Sequence, residues 1–335
     1  MTKRRVIVLT TGGTIASKLG TAGRHISGAM TGESLLEAIT PPRSGGVDVE
    51  VEVRSVLQKP SNAIELDDLV GISRQCRQLA EQPEVSGIVV THGTDTLEET
   101  AHFLDITVPL SGCALVVTGA QRAPHQDGTD AYRNLADAIT VAAAPDMAGV
   151  GVTVVFNQSL YAARQVRKLN TYQLHGFGAP GAGPLGYIDG QRVHLAQHPR
   201  RPAPLPLGES LPRVDILTSY LAASPELLTS SFTGGARGIV IEGLGRGHVP
   251  PTWLDAIRQA TEAGVAVVVA SVCHEGPVNT CYEFPGSLES LQAQGAIAAP
   301  DLSARKARLT LAVMLSTGAS REEIASFFAP AMFSP

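Results

Sequence analysis

The chain has 335 residues, of which 44% are hydrophobic and 17% charged, and its formal net charge is −5. That is enough apolar material for a sizeable core in two domains, or in one large α/β unit, at roughly 100–200 residues per domain, and it excludes intrinsic disorder. The negative balance leaves no basic footprint for nucleic acid, and the low charged fraction points to much buried surface, including surface between subunits.

The first apolar run, Val6-Ile7-Val8-Leu9, ends at Thr10-Thr11-Gly12-Gly13. It is too short for the apolar core of a signal peptide, and no run of about 18 apolar residues follows that would span a membrane. The expectation is a buried first strand over Arg5–Leu9 and a cytoplasmic protein. Lys18–Gly32 is rich in Gly, Ser and Thr and lacks periodicity, the form of a lid loop beside a site. Further strands are expected at Val49–Val53, Gly87–Val90, Ala114–Thr118, Val152–Phe156, Asp215–Ser219, Gly238–Glu242 and Ala266–Ala270. Several are apolar throughout, as strands covered on both faces are. Helical spacing marks Leu66–Leu79, Ala131–Ala143, Thr252–Ala263 and Ala304–Met314.

This alternation predicts an α/β fold: a mostly parallel, doubly wound sheet in a large N-terminal domain, plus a smaller α/β C-terminal domain. Prolines at 199, 202, 204, 206 and 212 cannot donate to a ladder, so Ala196–Pro212 reads as an extended linker. The domains are then 1–195 and 213–335. The four cysteines, Cys76, Cys113, Cys273 and Cys281, are expected as free thiols in a reducing compartment. Cys273-His274-Glu275 and Cys281 lack the paired close spacing of a structural zinc site, so no metal is expected. No complete phosphate-binding fingerprint follows any strand.

Ligands of open parallel sheets bind beyond the carboxyl ends of the strands. Three strands here are followed by glycine beside a hydroxyl, amide or carboxylate: Thr11-Gly12-Gly13-Thr14, His92-Gly93-Thr94-Asp95 and Gly119-Ala120-Gln121-Arg122. Glycine lets backbone N–H groups approach a ligand closely. Taken singly, each has a plainer reading. Gly12-Gly13 makes a turn. Thr94 and Asp95 cap the helix beginning near Thr96, Ser61 and Asn62 cap the helix after them, and Lys168 is a surface lysine beside Arg164 and Arg167.

Together, Thr10-Thr11-Gly12-Gly13-Thr14-Ile15-Ala16 and Thr91-His92-Gly93-Thr94-Asp95-Thr96-Leu97-Glu98-Glu99-Thr100 resemble the two signature motifs of bacterial-type L-asparaginases. A match near Gly183-Pro184-Leu185-Gly186-Tyr187-Ile188 extends the resemblance along the chain. It implies hydrolysis of L-asparagine to L-aspartate and ammonia without a cofactor. It implies Thr14 as nucleophile, with Thr94, Asp95 and Lys168 as the second catalytic group. Ser61 and Asn62 match the substrate-clamping pair, and Gly93 and Ala120 supply backbone groups to the substrate. It further implies a homotetramer, a dimer of dimers, with each active site between one subunit's large domain and another's small domain.

Two positions depart from the family pattern. His25 stands where many members carry a lid tyrosine, either as a base acting on Thr14 or as an exposed loop residue. His248, in Gly243-Leu244-Gly245-Arg246-Gly247-His248, stands where many carry an asparagine. Glu283, rather than Glu275, is the preferred match to the glutamate supplied by the neighbouring subunit. Two other functions stay open: a mixed asparaginase/glutaminase, since one methylene is worth only about 1–3 kcal/mol of discrimination, and a non-catalytic amino-acid sensor on the same fold.

Overall fold

The computed structural model describes residues 4–20, 24–26, 28–39, 43–44, 46–199 and 201–329, with the side chains of His25 and Arg43 left aside. The chain divides into two compact units, Met1–Pro204 and Leu205–Pro335.

Unit 1 contains, in order, β1 (Arg4–Thr10), β2 (Lys18–Leu19), β3 (His25–Ile26), α1 (Gly32–Glu37), β4 (Arg43–Ser44), β5 (Val47–Ser55), α2 (Leu66–Ala80), β6 (Val85–Thr91), α3 (Leu97–Thr107), β7 (Ala114–Thr118), α4 (Ala131–Ala142), β8 (Val152–Phe156), β9 (Ser159–Ala162), β10 (Arg167–Lys168), β11 (Phe177–Gly178), β12 (Gly186–Asp189) and β13 (Arg192–Leu195). Nine of these strands form one sheet in the order β13-β12-β9-β8-β7-β6-β1-β5-β4. The run β5-β1-β6-β7-β8 is parallel. Antiparallel partners flank it: β4 at one margin, and β9, β12 and β13 at the other.

Alternation along β1 places the core on both faces. Val6 and Val8 pack with Leu35 of α1 and with Leu135 and Ala138 of α4. Ile7 and Leu9 pack with Ile72 and Cys76 of α2 and with Leu97 and Leu104 of α3. Each fully buried aliphatic side chain contributes about 1.5–3 kcal/mol, so both faces need their helices, and right-handed crossovers supply them.

Unit 2 contains β14 (Val214–Thr218), α5 (Glu226–Thr233), β15 (Gly238–Gly243), α6 (Leu254–Glu262), β16 (Ala266–Ser271), α7 (Leu288–Ala293), β17 (Ile297–Ala298), α8 (Ala304–Ser316) and α9 (Arg321–Phe328). Its sheet, β14-β15-β16-β17, is parallel throughout. Trp253, Ile257 and Leu291 cover one face, and Ala307, Leu311 and Phe328 the other.

The eight strands expected from sequence all form, with ends shifted by up to two residues. Val49–Val53 lies inside the longer β5, whose residues are half-buried or exposed. Its valines alternate with Asp, Glu and Arg because only the two-residue β4 lies beyond it. The antiparallel margin β9, β12 and β13 was not expected. These strands are four residues each and only half-buried, too short for a clear period. Thr252–Ala263 splits into a 3₁₀ turn at Pro251–Trp253 and then α6. The loop expected as a lid carries a small antiparallel pair, Lys18↔Ile26 and Leu19↔His25. No helix among the described residues is long and apolar enough to cross a membrane. All four cysteines stand as free thiols, Cys76 and Cys113 buried, Cys273 and Cys281 exposed.

Candidate active site

The parallel strands of unit 1 end in register. Thr10 lies opposite Ser55 and Thr91, and Thr91 opposite Thr118. The loops that follow therefore open along one edge of the sheet, where helix N-termini and free backbone groups collect.

Two glycines let these loops touch. Gly13 has φ 82° and ψ −175°, a region only glycine occupies without strain. A Cβ there would stand 2.4 Å from the Gly93 nitrogen, and a Cβ on Gly93 would stand 2.8 Å from the Ser61 Cβ. Backbone bonds add to the seam: Thr11 N–H donates to the Thr91 carbonyl (3.2 Å), and Lys59 N–H to the Thr11 carbonyl (3.0 Å). Thr96 Oγ1 donates to the Ser61 carbonyl at 2.9 Å. Thr14, Thr94 and Asn62 each stand one residue past one of these contact points.

Thr14 opens a 3₁₀ turn, Thr14–Ala16, in which Ile15 and Ala16 are buried and Thr14 is half-buried. The plainer readings of the other residues do not hold. α3 starts at Leu97 with Thr96 at its N-cap and no side-chain cap, so neither Thr94 nor Asp95 caps it. Ser61 and Asn62 lie in their own 3₁₀ turn, Ser61–Ala63, while Glu65 and Asp68 form the capping box of α2. Ser61 is buried and Asn62 exposed.

Lys168 is not a free surface lysine. It lies on β10, half-buried, and its Nζ donates to Thr94 Oγ1 at 2.8 Å and to Asp95 Oδ1 at 2.7 Å. Its backbone N–H donates to the buried carboxylate of Glu98 at 2.5 Å. Thr94 Oγ1 in turn donates to Gln121 Oε1 at 3.3 Å. Asp130 holds the Gly119–Arg122 loop. Its carboxylate accepts from the backbone N–H groups of Gln121 (3.0 Å) and Arg122 (2.9 Å) and from Asn134 Nδ2 (3.0 Å). Arg122 thus meets Asp130 through its backbone, and its guanidinium donates to the Gly128 carbonyl. Ala120 is fully buried in that loop, backbone and side chain alike.

The match to known domains covers nearly all of both units. An N-terminal asparaginase domain matches residues 5–201, and a glutaminase/asparaginase C-terminal domain matches residues 213–328. The chain belongs to the asparaginase family. It is 40% identical over 314 residues to the L-asparaginase of Bacillus licheniformis, covering 94% of this chain and 96% of that one. It is 36% identical over 335 residues to a probable L-asparaginase of Deinococcus radiodurans, covering 98% of each. Among solved structures, the probable cytoplasmic L-asparaginase from Campylobacter jejuni superposes with a TM-score of 0.87 at 28% identity, covering 97% of this chain and 99% of that one.

The remaining candidate positions of this asparaginase are less complete. His25 forms part of β3, and its side chain lies outside the described residues. His248 and Glu283 belong to unit 2. There Leu244 and His248 close a tight turn after β15. The His248 ring meets Tyr282 edge-on with centroids 5.3 Å apart, and lies 5.0 Å from Phe284. Burial lowers the His248 pKa, and its Nδ1 has no hydrogen-bond partner. Glu283, between the two rings in sequence, is exposed. No group of three or more His, Cys, Asp and Glu among the described residues could hold a metal ion.

Three further residues that the motifs alone do not mark as part of the site belong to the network: His92, Glu98 and Gln121. His92 is fully buried. Its Nδ1 lies 2.7 Å from the Gly93 carbonyl and its Nε2 2.9 Å from Thr100 Oγ1. Burial pushes its pKa down to about 4, against a weaker upward pull from the Gly93 carbonyl, so the imidazole is neutral at pH 7. The sequence signal for all three is their place just past β6 and β7, His92 and Gln121 in the loops and Glu98 in the first turn of α3, but their partners lie up to 70 residues away.

Proposed function

We propose that this asparaginase hydrolyses the side-chain amide of L-asparagine to L-aspartate and ammonia through Thr14. The observation that carries this reading is the Lys168 ammonium group within hydrogen-bond reach of both Thr94 and Asp95, at the strand-end edge that also carries Thr14.

An amide needs a nucleophile, a route for its proton and donors for the oxyanion. Thr14 Oγ1 attacks the amide carbon and its proton passes to the departing nitrogen, so that the C–N bond breaks and ammonia leaves. Water then adds to the acyl carbon and gives a proton to the Thr94–Lys168 pair, and the C–O bond to Thr14 breaks as a proton returns from that pair to Thr14 Oγ1, releasing aspartate. Asp95, an exposed carboxylate, pairs with the substrate's α-ammonium group. Ser61 and Asn62, with the backbone of their turn and of Gly93, receive the α-carboxylate. The Ala120 backbone receives the side-chain amide. No step calls for a cofactor.

The assembly that completes this reading is a homotetramer in which His248 and Glu283 reach the site of a neighbouring subunit. The loops after the unit 2 strands support it, because they expose Tyr220, Leu221, Leu244, Val272, Tyr282 and Phe284, an apolar surface that monomeric proteins seldom leave open. A cytoplasmic location follows the solved relative's description.

The test is ammonia release from L-asparagine, measured beside L-glutamine. Thr14→Ala and Thr94→Ala are each expected to lose at least 100-fold in kcat. Wild-type turnover in Thr14→Ala would remove the nucleophile. Calorimetric binding of asparagine with no ammonia from the wild type would make the protein a sensor. A monomeric mass in sedimentation would remove the tetramer.

A further inference from the structure

The Gln121 side chain has only one orientation that satisfies its surroundings. Its nitrogen lies 3.0 Å from the Asn170 carbonyl oxygen and 3.1 Å from that of Gln173. Carbonyls only accept, so this end is the amide NH₂ and the other end is the oxygen. Gly176 makes room for it, since a Cβ there would stand 2.3 Å from Gln121 Nε2. The oxygen faces Thr94 Oγ1 at 3.3 Å. That oxygen also only accepts, so the single hydroxyl proton of Thr94 must point towards it.

Lys168 then meets the lone pairs of Thr94, not its proton, and donates at 2.8 Å. Its other partner, Asp95 Oδ1 at 2.7 Å, is again an acceptor. The protons run from Lys168 to Thr94 to Gln121, the polarity of an ammonium group. A base needs the reverse polarity, with the Thr94 proton directed at an Nζ lone pair.

We propose that Gln121 is a positioning residue that holds the Thr94 hydroxyl proton away from Lys168, so that the pair accepts a proton only after Lys168 has lost one and the hydroxyl has turned. This rests on the reading that Thr94 and Lys168 carry the proton transfer. In the deacylation step Lys168 first gives one proton to solvent. The Thr94 proton then moves to Nζ as Thr94 Oγ1 takes one from the water that bonds to the acyl carbon, and Nζ returns a proton through Thr94 to Thr14 Oγ1 as the C–O bond breaks. Gln121 Oε1 accepts the Thr94 proton in the ammonium arrangement and loses that bond in the reversed one, so it favours the ammonium arrangement.

Other charges around the pair are Asp95, on the same loop as Thr94, and Glu98 of α3, which accepts from the Lys168 backbone. Asp130 accepts from the backbone of Gln121. Arg167 precedes Lys168 on β10, His175 is exposed on the turn beyond it, and buried His92 is neutral. None of them receives the Thr94 proton.

The test uses two variants of the full-length protein. Gln121→Met keeps the volume and removes the acceptor, while Gln121→Glu keeps an acceptor and adds a negative charge. The chain has only five lysines, Lys3, Lys18, Lys59, Lys168 and Lys306, so a ¹³C-lysine NMR titration resolves Lys168, assigned by its loss in Lys168→Met. The midpoint of Lys168 is expected to fall by roughly half to one pH unit in Gln121→Met and to rise in Gln121→Glu. The limb of the kcat–pH profile with L-asparagine should move in the same directions. Equal midpoints in all three proteins, with a kcat lowered evenly at every pH, would reduce Gln121 to a scaffold and overturn the proposal. If Gln121→Met does not fold, Gln121→Leu, which also removes the acceptor, takes its place, and an unmoved midpoint there overturns the proposal. The titration needs no turnover, so a wild type that releases no ammonia sinks the functional reading and leaves the Gln121 result standing or falling on its own.

Discussion

Replacing Gly13 with alanine tests whether the contact between two loops builds the site. Gly13 sits at φ 82° and ψ −175°, which costs an L-residue about 1–3 kcal/mol. Its new Cβ would lie 2.4 Å from the Gly93 nitrogen and 2.5 Å from the Gly93 Cα, about 1 Å short of ordinary contact at 3.4 Å. Both atoms are backbone, so the loops must part, at a further cost of about 1–3 kcal/mol. The total, about 2–6 kcal/mol, is a large part of the 5–15 kcal/mol typical of a folded domain. It corresponds to a melting temperature lowered by about 5–20 °C for a unit of this size. Thr14 and Thr94 each follow one of the touching glycines, so parting them by about 1 Å should cost on the order of 100-fold in kcat. Urea unfolding and ammonia release at saturating L-asparagine read the two effects separately. Gly71→Ala is the control. Gly71 lies inside α2 and a Cβ there meets nothing within 4 Å, so this variant should gain about 0.5–1 kcal/mol with unchanged turnover. A Gly13→Ala protein that melts and turns over like wild type would refute the reasoning.

Arg201 reaches the buried Asp105, with Nε 2.9 Å from Oδ1 and Nη2 donating to the Asp105 carbonyl at 3.0 Å. Arg201→Ala should cost about 3–5 kcal/mol at pH 7 by leaving a buried carboxylate with the Val152 N–H and the nearby charge of Arg164 but without its closest cation. Burial raises the Asp105 pKa in the folded state despite Arg201. A group with a raised folded pKa adds stability below its unfolded value and loses it as pH rises through the folded one. The deficit of Arg201→Ala in urea melts should therefore narrow as pH falls from 7 towards the carboxylate range. A deficit equal at all pH values would show that Asp105 is not ionised in the fold. Thiol reactivity separates the cysteines: burial pushes the Cys76 thiol well above its usual range and the Cys113 thiol up to about 12. Ellman's reagent should thus titrate Cys273 and Cys281 in the native protein and the other two only after denaturation; four fast thiols would contradict the burial of Cys76 and Cys113.

Much of the fold is legible in the amino-acid sequence because its signals are local. Apolar runs such as Ala114–Thr118 and Val152–Phe156 read directly as doubly covered strands, and the alternation of strand and helix implies the parallel sheet. The candidate site residues were legible as well, because glycine beside a hydroxyl or carboxylate after a strand marks the edge where ligands bind. Their partners were not. Lys168 lies 74 positions from Thr94, and in sequence it is one cation beside two arginines; only the placement of β10 brings its Nζ between Thr94 and Asp95. The antiparallel margin of the sheet escaped because four-residue strands carry no distinct period. The capping readings of Thr94 and Ser61 were sound in propensity and were decided by where α3 and α2 begin. Which way the Thr94 proton points depends on carbonyls at 170 and 173, fixed by a turn that no local pattern announces. Local periodicity and turn chemistry thus determined the elements and the candidate hydroxyls. Hydrogen bonds between residues far apart in the chain decided which of those hydroxyls meets a lysine.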